Sequence, residues 1–537
     1  MWLGLDQVGR DKCSLPDTRG FKMGERKKMK RDLGFSLTRT AIKYGDRVAI
    51  IFKDRVLTYK RLNERVNRFA NALSGLGLEK GTKVALLLNN CNELVESIYG
   101  ILKAGGIVVP INTRLSTQEI CFLVNHSDSS TFVFDRVFVE KFEAVRRESD
   151  KVRHFIACND EKFPGVEHYE ALLQGGSPEE PKVNHIDEND EAFIIYTAGT
   201  TGRPKGVVLT HSNFLWNCVN YCMGGITRPE DYNLQIFPLF HVAGLASALA
   251  AIFIGCKTYL KDKIDPEDCL ETIQRESINK FGAIPSIGAA VVNLPGIHKF
   301  NLDSVKLLGS GGAPMPAEVK RKLSEIFRKA GIYNCYGQTE STGTITALLP
   351  KDAFREPASV GQAFFTNIVK VFDDQDRELP PGQVGELVYD GYTRMRQYYK
   401  DPEATAEAIR GGWMHSGDLA MMDEEGFFYI VDRKKDMIIT GGENVYSIEV
   451  EDTIAKMQGI AETGVIGLPD PKWGETVMAV IVLKPGVILD EEEVIRFCKT
   501  QIAAYKAPKK VIFAGSLPKS PIGKILKKEL KALYGGK

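Results

Sequence analysis

The 537-residue sequence lacks an excess of charge of either sign, because 70 lysines and arginines are balanced by 69 aspartates and glutamates. Nucleic-acid-binding proteins usually carry a basic excess, so this balance argues against that class of function. The ten cysteines include no CxxC pair and no zinc-ligand spacing. Scattered cysteines of this kind are typical of a reducing compartment, and they predict a cytoplasmic location.

Long apolar runs are also scarce. The longest, residues 242–256, is interrupted by two glycines and a serine. It is shorter than the ~20 residues that a membrane-spanning helix needs, so it predicts a buried core helix. No apolar segment with a small-residue cleavage site follows Met1, so no signal peptide is predicted. Residues 1–34 read instead as a polar extension with a basic run at 26–31, and Met23 is a second candidate for the start of translation.

The N-terminal part of the chain alternates strand-like and helix-like patterns. Short apolar runs at 84–88, 107–110 and 131–134 predict buried strands. Between them, 93–103 has helical periodicity and 116–119 has the pattern of a capping box. Strands that alternate with helices predict an α/β fold with parallel sheets flanked by helices.

The pattern changes near residue 436. Two apolar runs at 464–468 and 477–483, an acidic-capped helix at 490–502 and a short strand at 510–513 predict a small α+β domain. The charged stretch 432–436 is suited to a linker. We therefore expect a basic N-terminal extension at 1–34, a large N-terminal domain at 35–434 and a small C-terminal domain at 435–537.

The segment 196–206, YTAGTTGRPKG, carries the strongest local signal for chemistry. Its glycines let the backbone approach a ligand closely, and its N–H groups can form a nest for an anion. Hydroxyls come from Thr197, Thr200 and Thr201, and a cation comes from Lys205. The segment is not a Walker A loop, which requires GxxxxGK[ST]. It predicts a site for a triphosphate.

This loop resembles the phosphate loop of the adenylate-forming superfamily, which contains acyl-CoA synthetases, peptide-synthetase adenylation domains and firefly-type luciferases. The resemblance extends from about residue 35 to residue 530, and six further motifs stand in the order of that family. They are PLFH at 238–241, GSGGAP at 309–314, YGQTE at 336–340, WMHSGD at 413–418, DRKKD at 432–436 and PIGK at 521–524. The resemblance implies a large N-terminal domain followed by a small mobile C-terminal domain.

The resemblance assigns ATP and Mg²⁺ to the phosphate loop and the YGQTE motif. The loop residues would hold the β- and γ-phosphates: Thr197, Ala198, Gly199, Thr200, Thr201, Gly202 and Lys205. Thr339 and Glu340 would hold the α-phosphate and Mg²⁺, and a carboxylate suits that hard ion. A surface salt bridge is the alternative for Glu340. The loop departs from the family at Ala198, where serine is common, so one hydroxyl is lost.

The nucleoside would be bound by three further segments. The adenine would lie against Gly311, Gly312, Ala313, Pro314, Asn334 and Tyr336. The ribose hydroxyls would bind Asp418, and Arg433 would also reach the ribose. The alternative for Asp418 is a helix cap.

Lys524 would act in the first half-reaction, because a positioned ammonium offsets the repulsion between a carboxylate and the α-phosphate. Its alternative is one more solvated lysine. In the second half-reaction, the C-terminal domain would rotate about a hinge at Lys435 and present a surface for coenzyme A. That surface would contain Gly441, Gly442, Trp473, Tyr505 and Lys509.

The resemblance places His241, Val242, Gly309 and Gly337 beside the acyl group. Amino-acid-activating members carry an acidic residue near position 241, and this sequence has none there. Acetate-specific members carry a tryptophan at the position of Gly337, so a larger acyl group is expected. Medium- or long-chain fatty acids, alicyclic acids and aromatic acids all fit.

The resemblance therefore implies an AMP-forming ligase that joins a carboxylic acid to coenzyme A through an acyl-adenylate. ATP, Mg²⁺ and coenzyme A would be cosubstrates, without a bound prosthetic group. The alternatives are a luciferase-like oxygenase and an enzyme that loads a carrier protein. Neither nucleic acid nor a transmembrane segment is expected. The oligomeric state stays open, a homo-oligomer included, and Lys524 is a candidate for acetylation.

Overall fold

The computed structural model describes residues 31–158, 163–183, 185–197, 204–311, 315, 317–520 and 523–535. Most of the predicted N-terminal extension lies outside these ranges. The described helices are α1 (Leu33–Tyr44), α2 (Tyr59–Gly75), α3 (Asn92–Lys103), α4 (Thr117–His126), α5 (Val139–Glu148), α6 (Tyr169–Gly175), α7 (His211–Met223), α8 (Val242–Ile254), α9 (Pro266–Glu276), α10 (Pro285–Val292), α11 (Ala317–Ile326), α12 (Pro402–Ala408), α13 (Ser447–Ala455), α14 (Glu491–Gln501) and α15 (Lys527–Tyr534).

The strands of the first half are β1 (Val48–Phe52), β2 (Arg55–Thr58), β3 (Lys83–Leu87), β4 (Ile107–Pro110), β5 (Ser129–Phe134), β6 (His154–Ala157), β7 (Glu167–His168), β8 (Glu191–Thr197), β9 (Lys205–Thr210), β10 (Tyr232–Gln235) and β11 (Lys257–Leu260). Those of the second half are β12 (Lys280–Gly282), β13 (Leu307–Gly311), β14 (Gly331–Tyr336), β15 (Thr346–Leu348), β16 (Gln362–Ala363), β17 (Asn367–Phe372), β18 (Val384–Gly391), β19 (Gln397–Tyr398), β20 (Ile409–Arg410), β21 (Trp413–Met422), β22 (Phe428–Arg433), β23 (Ile438–Thr440), β24 (Glu443–Val445), β25 (Ile460–Asp470), β26 (Gly474–Leu483) and β27 (Lys510–Phe513).

The predicted βαβ region forms an eight-stranded sheet in the order β19-β9-β8-β4-β3-β5-β6-β7. Its central pairs are parallel, as in β3 with β4 and β3 with β5. The apolar runs of the sequence form these strands because both faces of the sheet are covered. The capping box that opens α4 is present, with Ser116 and Glu119 bonded to each other's backbone.

A nine-stranded sheet follows the order β16-β15-β14-β13-β12-β10-β11-β1-β2, with parallel pairing from β14 through β1. A smaller antiparallel sheet joins β17, β18, β20, β21 and β22. Together these sheets make the large N-terminal part of the predicted α/β fold. Since parallel strands end at one edge, β13 and β14 deliver their last residues to a common site.

The C-terminal part is small and has its own core. Its sheet has the order β24-β23-β26-β25, with β27 beside β26, and α13, α14 and α15 pack on it. The predicted strand at 510–513 and the capped helix that starts after Asp490 are both present. The predicted α/β class, with a smaller α+β C-terminal domain, is confirmed.

The phosphate loop joins two strands that pair with each other. It follows β8 and leads into β9, which pairs with β8 antiparallel. The ends of the loop, Thr197 and Lys205, are therefore held next to each other.

The apolar run at 242–256 forms α8, and most of its residues are buried. This confirms the predicted core helix. Within the described ranges, no helix has the length and apolar character needed to cross a membrane.

Candidate functional site

Side chains from the N-terminal sheets and from the turn that carries Lys524 meet around a cavity of about 360 Å³. In the described ranges its wall contains three lysines and one arginine, but only one carboxylate, that of Glu340. An excess of positive charge in a cleft attracts a polyanion. The predicted site residues that line it are Thr197, Lys205, His241, Val242, Gly309, Gly311, Gly337, Thr339, Glu340, Arg433, Lys435 and Lys524.

The two ends of the phosphate loop lie at this cavity. Thr197 is paired in register with Lys205 across the β8–β9 hairpin. The Lys205 ammonium lies 4.8 Å from the ring centroid of Tyr398, a cation–π distance that holds its side chain in place. The remaining predicted loop residues and part of the GSGGAP motif lie outside the described residues: Ala198, Gly199, Thr200, Thr201, Gly202, Gly312, Ala313 and Pro314.

Glu340 is held by the same tyrosine. The Tyr398 hydroxyl donates to its carboxylate at 2.8 Å, and burial raises the pKa of Glu340. Thr339 is buried beside it in the same short helical turn. Described residues include no cluster of three or more metal-ligating side chains. A single carboxylate fits Mg²⁺, which commonly takes one or two carboxylates and completes its shell with phosphates and water.

Asp418 lies in β21 between two partners. Tyr336 donates its hydroxyl to one carboxylate oxygen at 2.6 Å, and the Arg433 guanidinium lies 3.1 Å from the other. The alternative of a helix cap is wrong, because Asp418 lies in a strand. Asn334 accepts a hydrogen bond from Ser310 at 3.1 Å, at the ends of β14 and β13.

Lys524 enters the cavity from the C-terminal domain. Its main-chain N–H donates to the Ser520 hydroxyl at 3.1 Å, which fixes the turn. Burial, with Arg433 nearby, lowers the pKa of Lys524 to about 8. Its neighbours Lys519 and Lys527 have ion pairs with Glu462 and Glu451, whereas Lys524 has none within the described ranges. This ammonium is therefore free to meet an anionic ligand.

The turn after β22 connects the last strand of the N-terminal sheets to β23, the first strand of the C-terminal sheet. Lys435 lines the cavity from this turn, and burial lowers the pKa of its ammonium. The preceding Asp432 is buried, although the sequence suggested an exposed linker. Its carboxylate accepts hydrogen bonds from both the N–H and the hydroxyl of Ser447, at the start of α13.

Comparison with known proteins identifies the architecture. The family model for AMP-binding enzymes matches residues 37–399, and the model for the C-terminal domain of AMP-binding enzymes matches residues 449–524. The chain belongs to the AMP-binding enzyme family.

Relatives in this family are similar over nearly their whole length. The chain is 36% identical to a long-chain-fatty-acid–CoA ligase of Mycobacterium tuberculosis, over 89% of this chain and 93% of the relative. It is 34% identical to a feruloyl-CoA synthase of Amycolatopsis, over 92% and 96%. The solved structure of an anthranilate–CoA ligase with anthranoyl-AMP has a TM-score of 0.88 and 25% identity, over 94% and 97%. The predicted reaction class, AMP-forming ligation of a carboxylic acid to coenzyme A, is confirmed.

The predicted acyl residues His241, Val242, Gly309 and Gly337 all line the cavity of this AMP-binding enzyme. We call the part of the wall formed by these residues and the neighbouring Phe237 and Tyr333 the acyl end. His241 caps α8, where its Nδ1 accepts the N–H of Ala243 at 3.2 Å. Burial lowers the pKa of His241 to about 4, so the ring is neutral and poorly suited to act as a base. Gly337 was expected to leave room for a larger acyl group, but the structure gives another reason for glycine at this position. A Cβ at this position would lie 2.6 Å from the carbonyl oxygen of Gly343, so backbone packing requires glycine.

The residues predicted for coenzyme A lie elsewhere. Gly441 donates its N–H to the carbonyl of Trp473 at 2.7 Å, and its φ of +61° favours glycine. The ammonium groups of Lys472 and Lys509 each lie 4.6 Å from the Trp473 ring centroid. We call Gly441, Lys472, Trp473 and Lys509 the Trp473 surface. Gly442 follows in the same turn, Tyr505 is exposed, and none of these residues lines the cavity.

Sequence reasoning missed several cavity residues. Tyr398 contacts both Lys205 and Glu340, yet it stands 58 residues after the latter. Phe237 directly precedes the PLFH motif, and that position could have suggested it. Tyr333 and Cys335 flank Asn334, so the segment predicted for the adenine could have suggested them. Nothing local marks Tyr221 and Ser247, which reach the cavity only through helix packing.

Proposed function

We propose that the protein activates a compact carboxylic acid, either aromatic, alicyclic or of medium chain length, and transfers it to coenzyme A. The observation that supports this is that Lys524, Lys205, Glu340 and the acyl residues line one and the same cavity of about 360 Å³. Small-molecule sites of ~300–1,000 Å³ are common, so this cavity is at the small end of that range. It must receive the adenylate as well as the acyl group.

In the first half-reaction, the carboxylate of the acid attacks the α-phosphate of ATP and pyrophosphate leaves. Lys524 stands between the two anions and stabilises the charge that develops. Thr197 and Lys205 hold the leaving phosphates, while Asp418 holds the ribose between Tyr336 and Arg433. Glu340 would hold Mg²⁺, which supplies positive charge to the phosphates.

In the second half-reaction, the thiol of coenzyme A attacks the acyl carbonyl and AMP leaves. Lys524 has no role in this step, because the adenylate carbonyl is already electrophilic. We assign the Trp473 surface to coenzyme A, since its two lysines and exposed indole suit a nucleotide with a phosphate. That surface lies outside the cavity, so the C-terminal domain has to turn about Lys435 between the two steps.

The shape of the acyl end supports a compact acid. Phe237, Tyr221 and Tyr333 place three aromatic rings around it. Rings of this kind pack well against a flat or six-membered substrate. The relatives named above act on both a long-chain fatty acid and an aromatic acid, and the aromatic wall favours the second type for this chain.

A substrate screen tests the proposal. Pyrophosphate release is measured with acetate, hexanoate, palmitate, benzoate and cyclohexanecarboxylate, each with and without coenzyme A. We expect turnover with hexanoate or a ring acid, AMP as the nucleotide product, and one equivalent of pyrophosphate when coenzyme A is omitted. Faster turnover with palmitate than with any ring acid would overturn the proposed acid class. Formation of ADP would overturn the mechanism.

Two further proposals concern the setting of the enzyme. We place it in the cytoplasm, because the nine cysteines of the described ranges are all free thiols. Acetylation of Lys524 would remove the charge that the first half-reaction needs, and mass spectrometry of the purified protein detects it. A homo-oligomer stays a prediction.

A further inference from the structure

Tyr333 has a buried ring, but its hydroxyl is not among the fully buried side-chain atoms that lack a hydrogen bond, so the hydroxyl is open to the cavity. Tyr333 is only 8% exposed and its side chain lines the cavity. Its hydroxyl makes no hydrogen bond to any residue in the part of the chain that the structure describes. A ligand that covers this hydroxyl without bonding to it would cost about 1–3 kcal/mol, so a ligand bound here is expected to form a hydrogen bond with it.

Three neighbouring strands explain where this hydroxyl lies. Gly282, Gly309 and Tyr333 are paired in register across β12, β13 and β14. A Cβ at Gly309 would lie 2.4 Å from the Tyr333 hydroxyl oxygen, and a Cβ at Gly282 would lie 2.7 Å from the Phe237 ring. The two glycines thus let two aromatic rings lie across the sheet. They place the hydroxyl over Gly309, on the cavity wall.

Other polar side chains surround the same point. Tyr221, Ser247 and Cys335 line the cavity from α7, α8 and β14. Burial, with Cys335 and Tyr221 close by, raises the pKa of Tyr333 well above its ordinary value. The phenol therefore stays neutral and can both donate and accept a hydrogen bond. A plain hydrocarbon chain bound against this hydroxyl would leave it without a hydrogen bond, which is unfavourable.

We infer that the Tyr333 hydroxyl binds an oxygen substituent of the acyl group, so that the preferred acid carries a hydroxyl or keto oxygen away from its carboxyl group. This rests on the proposed function and narrows its substrate class. A site built to hydrogen-bond a substrate oxygen discriminates strongly against the analogue that lacks it, because its own polar group is then left unpaired.

Matched acids test the inference. The specificity constant kcat/KM of adenylation is compared between benzoate and its 3- and 4-hydroxy derivatives, and between cyclohexanecarboxylate and its hydroxy and keto derivatives. We expect the best oxygenated member to be preferred by at least about tenfold in the wild type, the scale of one good hydrogen bond. Tyr333→Phe should abolish this preference. The preference is taken as the ratio of the two kcat/KM values within each variant, so a general change in activity does not affect it.

A stability control separates recognition from structure. The Tyr59 hydroxyl donates to the carbonyl of Cys256 at 2.6 Å, so Tyr59→Phe should lower Tm. Tyr333→Phe removes no such hydrogen bond, so its Tm should equal that of the wild type.

The outcomes are distinct. If neither hexanoate nor any acid of the two series is adenylated, the proposed function fails. If hexanoate alone is adenylated, the inference is overturned and the proposed function stands. If acids are adenylated but the wild type shows no preference, or if Tyr333→Phe keeps the preference, the inference is overturned and the proposed function stands.

Discussion

Two surfaces of the same small C-terminal domain are placed very differently. The Lys524 side chain is inside the cavity, where burial lowers its pKa to about 8. The Trp473 surface faces solvent, and its indole is 41% exposed. Under the proposed function, one domain carries one set of side chains for each half-reaction, and only the set with Lys524 lines the cavity. We therefore propose that this arrangement serves adenylation.

Removal of the Lys524 side chain should have the largest effect, because it should separate the two half-reactions. Lys524→Ala should slow adenylation by at least ~10²-fold, the scale of removing one preorganised electrostatic group. Thioester formation from synthetic acyl-adenylate and coenzyme A should persist, since Lys524 is absent from that step. Pyrophosphate release and thioester formation are assayed separately. Lys519→Ala is the matched control, because this lysine lies in the same segment but is paired with Glu462. If Lys524→Ala slows both half-reactions equally, Lys524 does not act in adenylation alone.

A stiffened hinge should have the opposite effect. Lys435→Pro fixes φ at the turn and should slow thioester formation by roughly tenfold, because rotation is hindered. Adenylation should be less affected. Lys435→Ala removes the same ammonium from the cavity but leaves the backbone free, so it separates the role of the charge from that of the hinge. If the alanine variant slows thioester formation as much as the proline variant, the turn is not the hinge.

A change on the exposed surface should affect coenzyme A alone. Trp473→Ala removes the exposed indole that we assign to coenzyme A, and base–aromatic stacking of ~1 kcal/mol corresponds to roughly fivefold in affinity. The KM for coenzyme A should rise by that factor while pyrophosphate release in its absence stays constant. Phe513→Ala, another exposed aromatic of this domain, serves as the control. An unchanged KM would place coenzyme A elsewhere.

The pH dependence should show the smallest effect. Because the pKa of Lys524 is lowered to about 8, the ammonium is lost as pH rises through that value. The kcat/KM of adenylation should therefore fall by about half near pH 8 and continue to fall above it. Lys524→Arg keeps its charge throughout this range and should lack the alkaline limb. A wild-type profile that is flat to pH 9.5 would show that the pKa is not lowered in solution.

Much of the fold could be predicted because local patterns decide it. The strand Ile107–Pro110 and the capped helix that begins at Thr117 lie where the sequence indicated. Parallel strands buried on both faces appear as apolar runs, and a capping box is a strictly local device. The antiparallel partner of β8 was missed because the apolar run after the loop is equally compatible with strand or helix.

Cavity residues that belong to sequence motifs could be predicted. Those that reach the cavity only through the register of paired strands could not. Lys205, Glu340 and Lys524 were found from their motifs. Tyr333 reaches the acyl end only because β13 presents Gly309 beside it, and Tyr398 reaches Glu340 only through the pairing of β19 with β9. Such meetings depend on distant strands and leave no mark in the spacing of nearby residues.

The buried carboxylate of Asp432 also bears on the order of events during turnover. Asp432 lies three residues before the proposed hinge, and its carboxylate accepts hydrogen bonds from the N–H and the hydroxyl of Ser447, 12 residues after that hinge. Under the proposed function, these bonds would hold the small domain in the arrangement for ATP and the acid. Coenzyme A would then bind after pyrophosphate has left, so initial-rate plots against ATP and coenzyme A should be parallel lines. Three hydrogen-bond contacts at one turn would thus fix the order in which the substrates bind.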